Sequence, residues 1–366
     1  MSVDLGTRLT ELLGCRYPIV QTAMGWVADP RLVAATGNAG GFGFLAGATI
    51  EPQHMEAAIL ETKRLTVQPF GVNFHMYQPN AGEIVDLVVR HGVKAVSYSR
   101  SPGPKMIARL KDAGVICMPT VGALKHAQKA VEMGADVVTI QGGEGGGHTG
   151  SVPTSMLLAQ VVAAVDVPVV AAGGFRDGNG LVAALAQGAS GIAMGTRFLM
   201  TRESPVPVET LKRYLAVKDP TKVIVSRAID GLPQRMIRNE LLDALEGAGP
   251  LRRLRLALSS ALAYRRLSGI SVGQMLTSLR QRGELSMAQA LMAANAPMVI
   301  QKAMVDGQPQ NGVLPAGQIA ALIDALPGCA ELIESIVTQA SERISELARR
   351  VPQELTQECR NAAVPR

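Results

Sequence analysis

A histidine in a glycine-rich segment is the group in this sequence best suited to chemistry. Residues 141–150 read QGGEGGGHTG, so that His148 follows three consecutive glycines. An imidazole exchanges a proton near neutral pH and can act as acid, base or hydrogen-bond donor. The glycines lose much conformational entropy on folding unless something large and flat lies against their backbone. We therefore expect His148 to face a ligand with a planar ring, the alternative being a histidine that only caps or packs.

Two further glycine-bearing segments have the pattern of a phosphate site. Gly173 and Gly174 follow one apolar run, and Gly195 and Thr196 follow the next. In many parallel barrels a phosphate is bound by backbone N–H groups after the last two strands, where a side chain would block its approach. The Thr196 hydroxyl can add a donor. The alternative is that the glycines serve only tight turns.

The remaining histidines give one further candidate. His75 lies two residues beyond Asn73 at the end of another apolar run, and the sequence leaves open whether it lines the same mouth. His54, His91 and His126 fall within predicted helices or at their ends, and we expect them to be solvated. No grouping of His, Cys and carboxylates has the spacing of metal ligands, so we predict no catalytic metal. The sequence also shows no serine or cysteine nucleophile motif of the elbow type.

Eight short apolar runs position these residues. They begin at intervals of 20 to 31 residues and alternate with helix-like stretches; they are 18–21, 41–45, 70–73, 95–98, 115–118, 137–140, 168–171 and 191–194. Runs that are apolar throughout are typical of strands buried on both faces of a parallel sheet. We predict an α/β fold of the (β/α)₈ TIM-barrel class, in which the chemistry lies at the carboxyl ends of the strands.

Proline and glycine indicate where the intervening helices begin and end. Helix starts are predicted at Asp29-Pro30, Glu51-Pro52 and Ser101-Pro102. Helix ends with a left-handed glycine are predicted at Gly92, Gly114, Gly134 and Gly188.

The strand rhythm stops after residue 197, and we interpret residues 220–301 as an inserted helical domain without strands. Its basic amphipathic helices carry Arg252, Arg253, Arg265 and Arg266. These arginines form either a solvated face or a lid that grips phosphate or carboxylate groups. Residues 1–219 and 302–366 then form the barrel, with helices over 318–326 and 330–350 closing it.

Composition limits the classes of function. Aromatic residues make up only 3% of the 366 residues, which leaves few stacking platforms for nucleic-acid bases and disfavours nucleic-acid binding. The net charge of +6 favours an anionic small-molecule substrate. The sequence shows no signal peptide and no apolar run long enough to span a membrane, and the four cysteines are scattered, so we expect a cytoplasmic protein with reduced thiols. The sequence is compatible with a homo-oligomer but does not fix one.

A dinucleotide-binding alternative can be set aside. Residues 145–150 satisfy the Rossmann pattern G-x-G-x-x-G, which requires an acidic residue at the end of the next strand. That strand ends in AAGG instead, and eight strands do not fit a doubly wound sheet.

Taken together, these motifs resemble the nitronate monooxygenase family, flavin mononucleotide (FMN) enzymes built on a (β/α)₈ barrel. The resemblance runs nearly end to end and includes PIVQTAM at 18–24, AGGFG at 39–43 and PFGVN at 69–73. It implies that His148 is the active-site histidine. It further implies cofactor contacts for Ala23, Met24, Asn73, Gln141, Gly146 and Gly147, and phosphate contacts for Gly173, Gly174, Gly195 and Thr196.

The same pattern serves more than one reaction in that family, and the sequence departs from the quinone-reducing members. They carry a lysine at the end of the fifth strand, where this chain has Thr120. We favour hydride exchange between flavin N5 and an anionic conjugated substrate of the acyl-CoA or enoyl-CoA type. Nitronate oxidation by O₂, NAD(P)H:quinone reduction, a non-catalytic flavin module and a flavin-free phosphosugar barrel remain alternatives. The direction of reaction, the oxidant and the donor, NADH or NADPH, stay open.

Overall fold

Eight parallel strands close into a barrel. A computed structural model describes residues 3–76, 80–99, 102–247 and 287–350, with side chains from residue 296 in the last range. The barrel strands are β1 (Ile19–Gln21), β2 (Phe42–Leu45), β3 (Gly71–His75), β4 (Ala95–Ser99), β5 (Ile116–Val121), β6 (Val138–Gln141), β8 (Val169–Ala172) and β9 (Gly191–Met194). β1 pairs with both β2 and β9, which closes the ring. All eight predicted runs are strands, so the (β/α)₈ prediction is confirmed and the doubly wound sheet is excluded.

Helices surround this barrel. Those of the described residues are α1 (Arg8–Leu13), α2 (Pro30–Asn38), α3 (Pro52–Leu65), α4 (Ala81–Arg90), α5 (Pro104–Asp112), α6 (Leu124–Glu132), α7 (Thr154–Val162), α8 (Gly178–Ala186), α9 (Thr196–Leu199), α10 (Val208–Ala216), α11 (Glu240–Glu246), α12 (Met287–Met304) and α13 (Cys329–Arg349). No helix in these ranges is long and apolar enough to cross a membrane.

The local signals in the sequence account for most helix ends. The Asp29 carboxylate caps α2 by accepting a hydrogen bond from the Leu32 backbone N–H at 2.9 Å, and α3 begins at the expected proline. The third predicted start was wrong, because α5 begins at Pro104 and not at Pro102. The four predicted glycine ends all have left-handed backbones with φ of 57°, 71°, 98° and 89°.

A small antiparallel sheet lies over the carboxyl end of the barrel. It consists of β7 (Gly147–His148), β10 (Val223–Ser226) and β11 (Gln234–Ile237), with β11 in the middle. The expectation that residues 220–301 contain no strands was therefore wrong for their first part. β10 does begin with an apolar run, Val223-Ile224-Val225, which the sequence analysis passed over, whereas β7 and β11 are short and mix polar with apolar residues.

The carboxyl-terminal part packs back onto the barrel. A 3₁₀ helix over Gln318–Leu322 replaces the α-helix predicted to reach residue 326. The predicted final helix is present as α13, whose apolar face packs against α8 and α2. It therefore covers the seam where β9 meets β1.

Candidate active site

His148 and Asp230 form a hydrogen-bonded pair above the barrel. His148 Nε2 lies 2.6 Å from Asp230 Oδ2; the aspartate side chain is only 6% exposed, whereas the histidine side chain is 60% exposed. The carboxylate also accepts hydrogen bonds from Gln234 Nε2 at 2.6 Å and from the Leu232 backbone N–H at 3.0 Å. The Nε2 side of the imidazole is thus held by a buried carboxylate that is itself hydrogen-bonded, while the rest of the His148 ring remains exposed.

This network assigns the tautomer of His148. Burial raises the pKa of Asp230. The hydrogen bond from His148, the positive charge that His148 carries when protonated, and the hydrogen bonds from Leu232 and Gln234 together outweigh burial, so that the pKa of Asp230 lies below its ordinary value. Asp230 is therefore a carboxylate at neutral pH and accepts the N–H of His148 Nε2. The Gln234 amide N–H also points to this carboxylate. His148 Nδ1, which bonds to no other residue in the described ranges, then carries the free lone pair of the neutral ring.

Asp230 was not among the predicted site residues. It lies 82 positions beyond His148, in the turn between β10 and β11, and those strands were not predicted. The Asp230-Gly231 pair, with φ of 83° at the glycine, is the local signal that could have indicated a hairpin turn there.

The glycine-rich segment before His148 packs closely against the protein itself. A Cβ atom at Gly146 would lie 2.6 Å from the Gly317 backbone nitrogen, and one at Gly145 would lie 2.8 Å from the Gln141 side chain. The Gln141 amide donates to the His148 carbonyl at 2.8 Å and to the Gly146 carbonyl at 3.4 Å. The need for these small residues thus follows from protein contacts, and the inference of a planar ring from their number alone is not required. Contacts of Gln141, Gly146 and Gly147 with a cofactor stay a prediction.

Two charged side chains fix this segment from either side. Glu144 Oε2 accepts hydrogen bonds from the Thr154 backbone N–H at 2.9 Å and hydroxyl at 2.6 Å, which ties the segment to the start of α7. Arg235 on β11 donates to the Gly143 carbonyl at 2.9 Å and to the Val223 carbonyl at 3.1 Å. Burial lowers the pKa of Arg235, while the charge of Glu144 opposes that shift. Arg235, which the sequence analysis did not single out, thus brings a cation to the back of the site.

The two predicted phosphate segments meet at the ends of β8 and β9. The backbone N–H groups of Gly174, Gly195 and Thr196 donate to no other residue within the described parts of the chain. Gly173 and Gly174 have φ of 106° and 85°, and a Cβ atom on Gly173 would lie 2.9 Å from Thr154 Oγ1. Thr196 Oγ1 accepts a hydrogen bond from the Gly317 backbone N–H at 2.9 Å, which leaves its own hydrogen free to donate. This cup of unpaired donors fits a phosphate.

The loop after β1 completes the rim of the cup. A Cβ atom at Gly195 would lie 3.1 Å from Thr22 Oγ1 and 3.6 Å from Met24 Sδ, so Met24 and the neighbouring Ala23 lie beside the phosphate segments. Trp26 adopts a left-handed backbone with φ of 61°, which costs a bulky residue roughly 1–2 kcal/mol. The backbone N–H of Trp26 donates a hydrogen bond to Thr49 Oγ1 at 3.0 Å, and this hydrogen bond helps to hold the strained turn. Strain of this kind is frequent where a loop contacts a ligand.

His75, Asn73 and Thr120 lie across the mouth. The Asn73 amide donates to the Ser97 carbonyl at 3.1 Å and hydroxyl at 3.0 Å, and His75 Nδ1 lies 3.1 Å from Ser99 Oγ. Partial burial of the His75 ring and the positive charge of His148 both lower the pKa of His75. His75 ends β3 and His148 follows β6, so both lie toward the carboxyl end of the barrel, and a shared role at the site stays a prediction for His75. Thr120 is half-buried near the end of β5, opposite Thr139.

Arg252, Arg253, Arg265 and Arg266 lie outside the described residues, and their contact with substrate stays a prediction. Among the residues that the structure describes, no cluster of His, Cys, Asp and Glu has the arrangement of a metal site.

Known proteins resemble this chain along nearly its whole length. The sequence model of the family described as nitronate monooxygenase matches residues 6–91 and 82–339. A relative from Rhodococcus jostii is 47% identical over 348 residues, which cover 94% of this chain and 98% of the relative. That protein is (3aS,4S,5R,7aS)-5-hydroxy-7a-methyl-1-oxo-octahydro-1H-indene-4-carboxyl-CoA dehydrogenase.

Two solved structures share the fold and a recognisable sequence. FabK from Thermotoga maritima superposes with a TM-score of 0.77 at 29% identity, covering 94% of this chain and 99% of that one. A nitroalkane oxidase from Streptomyces ansochromogenes superposes with a TM-score of 0.71, also at 29% identity, covering 93% and 99%. Both matches span nearly the whole of this chain.

Proposed function

Because this chain belongs to the nitronate monooxygenase family and is a flavin oxidoreductase, we propose that it binds FMN and oxidises or reduces a CoA thioester at His148. The observation that carries the proposal is the pairing of His148 with buried Asp230 next to a cup of unpaired backbone donors. A monophosphate fits that cup, since the donors converge from two neighbouring strand ends. NADH or NADPH as the electron donor in the reducing direction belongs to the same proposal.

The substrate class is inferred from the dehydrogenase of Rhodococcus jostii, whose name gives a CoA thioester at carbon 4 of a saturated octahydroindene ring system and a hydroxyl at carbon 5. The hydroxyl is therefore on the carbon β to the thioester carbonyl. Oxidation there removes a hydride from the carbinol carbon and a proton from the hydroxyl oxygen. We propose that this chain acts on a β-hydroxyacyl-CoA of a comparable bicyclic acid.

His148 handles the proton in this proposal. Its Nδ1 lone pair accepts the hydroxyl proton, and the Asp230 carboxylate stabilises the imidazolium that results. When bound, FMN supplies the two-electron acceptor. In the reverse direction the same Nδ1 returns the proton to the oxygen.

Nitronate oxidation is the second candidate. It is favoured by the description of the family and by the nitroalkane oxidase fold match. Anaerobic mixing distinguishes the two: we expect the β-hydroxyacyl-CoA to bleach the visible flavin band, and propionate 3-nitronate to leave it unchanged. If only the nitronate bleached the flavin band, nitronate oxidation would be the better assignment.

We expect replacement of Asp230 by asparagine to lower kcat about 10- to 100-fold. The reason is that a charge-assisted hydrogen bond contributes about 1.5–3 kcal/mol, and each 1.36 kcal/mol in the barrier is tenfold in rate. The acid limb of the kcat/KM profile should move to lower pH, because a neutral amide stabilises an imidazolium less than a carboxylate does. Stopped-flow reduction of the flavin across pH measures both effects.

The matched control is Asp86→Asn, which removes an ion-paired carboxylate from an outer helix. It should change neither rate nor profile. If Asp230→Asn slowed the reaction with no movement of the pH profile, Asp230 would be a structural residue and not a positioning one.

A further inference from the structure

One groove among the described residues lies apart from His148. It measures about 540 Å³ and lies between the end of α10, the start of β10 and the far end of β11. Its floor is apolar, because the buried side chains of Val217, Ile237 and Leu314 line it. A floor of this kind suits the flat face of a heterocyclic base.

The rim of this groove is cationic. Four of its lining side chains are basic and two are acidic; the basic ones are Arg213, Lys218, Lys222 and Arg238. Arg213 pairs with Glu240 at 2.5 Å and Arg238 with Asp243 at 2.7 Å. Within the described chain, Lys218 and Lys222 form no salt bridge, and both are exposed. Their ammonium groups are thus available to a phosphorylated ligand.

The groove and the catalytic pair are connected by one strand. Gln234, at the start of β11, lies opposite His148 in the sheet register, and Arg238 follows four residues later. At a rise of about 3.3 Å per residue, that separation is about 13 Å. An extended pantetheine arm can bridge this distance between a reacting acyl group and a nucleotide.

We propose that this groove binds the phosphorylated adenosine end of the CoA thioester. The base lies on the apolar floor, while Lys218 and Lys222 contact the phosphates. This inference rests on the proposed function, since it requires a CoA thioester at His148. It assigns recognition of the carrier to described residues away from the reacting atoms.

The test uses the flavin-loaded full-length protein and a double variant, Lys218→Ala with Lys222→Ala. For the β-hydroxyacyl-CoA we expect KM to rise about tenfold at unchanged kcat, since two exposed charge contacts together contribute about 1.4 kcal/mol. The same acyl group on N-acetylcysteamine lacks the nucleotide, and its KM should not change. The control is Lys105→Ala with Lys125→Ala, which removes equal charge from the exposed faces of α5 and α6.

Binding of free CoA, measured by calorimetry, separates this inference from the proposed function. The double variant should bind CoA about tenfold more weakly than the parent and the control. An unchanged affinity for CoA, or equal effects on both thioesters, overturns the groove assignment even where turnover is normal. A parent that binds CoA normally but whose flavin no acyl-CoA reduces would instead refute the proposed reaction.

Discussion

Replacement of His148 by alanine is expected to lower the rate of flavin reduction by the β-hydroxyacyl-CoA about 10²–10⁴-fold, the usual contribution of a general base. The flavin should stay bound, because the phosphate cup lies just beyond the ends of β8 and β9 and does not include the imidazole. The measurement is single-turnover reduction under anaerobic conditions, with the visible flavin band as the signal. Removal of the ring leaves the Asp230 carboxylate in place with its Gln234 and Leu232 donors.

The matched control is His126→Ala, which removes an exposed imidazole from α6 on the outside of the barrel. Its rate should equal that of the parent. A His148→Ala protein that keeps its flavin and reduces it at the parental rate would contradict the role assigned to His148. Proton transfer would then have to involve another group at the mouth, of which His75 is the nearest in character.

The sequence predicted the barrel because its information is local. The barrel strands are largely buried, so they appear as mostly apolar runs, and the helices α4, α5, α6 and α8 are each followed by a glycine with a left-handed backbone. The phosphate segments were predictable for the same reason: strand ends of a parallel barrel meet at one edge, so Gly174 and Gly195 had to be neighbours.

The partner of His148 was not predictable in this way. Asp230 reaches the histidine only because β11 adds to the two-residue strand β7, and neither strand has an apolar pattern that indicates pairing. In the sequence, an aspartate that is buried in a turn looks the same as a solvated one. Only the folded structure shows that its partner lies beside it. The glycines of residues 142–147 illustrate the opposite error, since their number suggested a flat ligand whereas Gly146 is required by the backbone at Gly317.

The phosphate cup gives the largest expected effect on cofactor binding. We expect Gly174→Asp to lower the affinity for FMN at least about 100-fold. A carboxylate beside the cup repels the phosphate and accepts hydrogen bonds from the backbone donors that would otherwise bind it. Charge-assisted hydrogen bonds contribute about 1.5–3 kcal/mol each, so losing two corresponds to about that factor or more. The protein should purify without the visible flavin band, and titration of the apoprotein with FMN gives the dissociation constant.

Two controls separate charge from backbone strain. Gly174 has φ of 85°, where any side chain is strained, so Gly174→Asn carries the same shape and strain without the charge. It should lose less affinity than Gly174→Asp. Gly114→Asp places the same residue at φ of 71° with no atom within 4 Å of its Cβ, at the opposite end of the barrel, and should bind FMN like the parent.

These variants also distinguish a phosphate cup from a site for an uncharged ligand. Riboflavin has the same ring system as FMN but lacks the phosphate. If the unpaired amides recognise the charge of the phosphate, the Asp and Asn variants should differ less in their affinity for riboflavin than in their affinity for FMN. If the two variants differed by the same factor for FMN and for riboflavin, the phosphate would have to bind elsewhere. The amides of Gly174, Gly195 and Thr196 would then need another anion to account for donors that no described residue accepts.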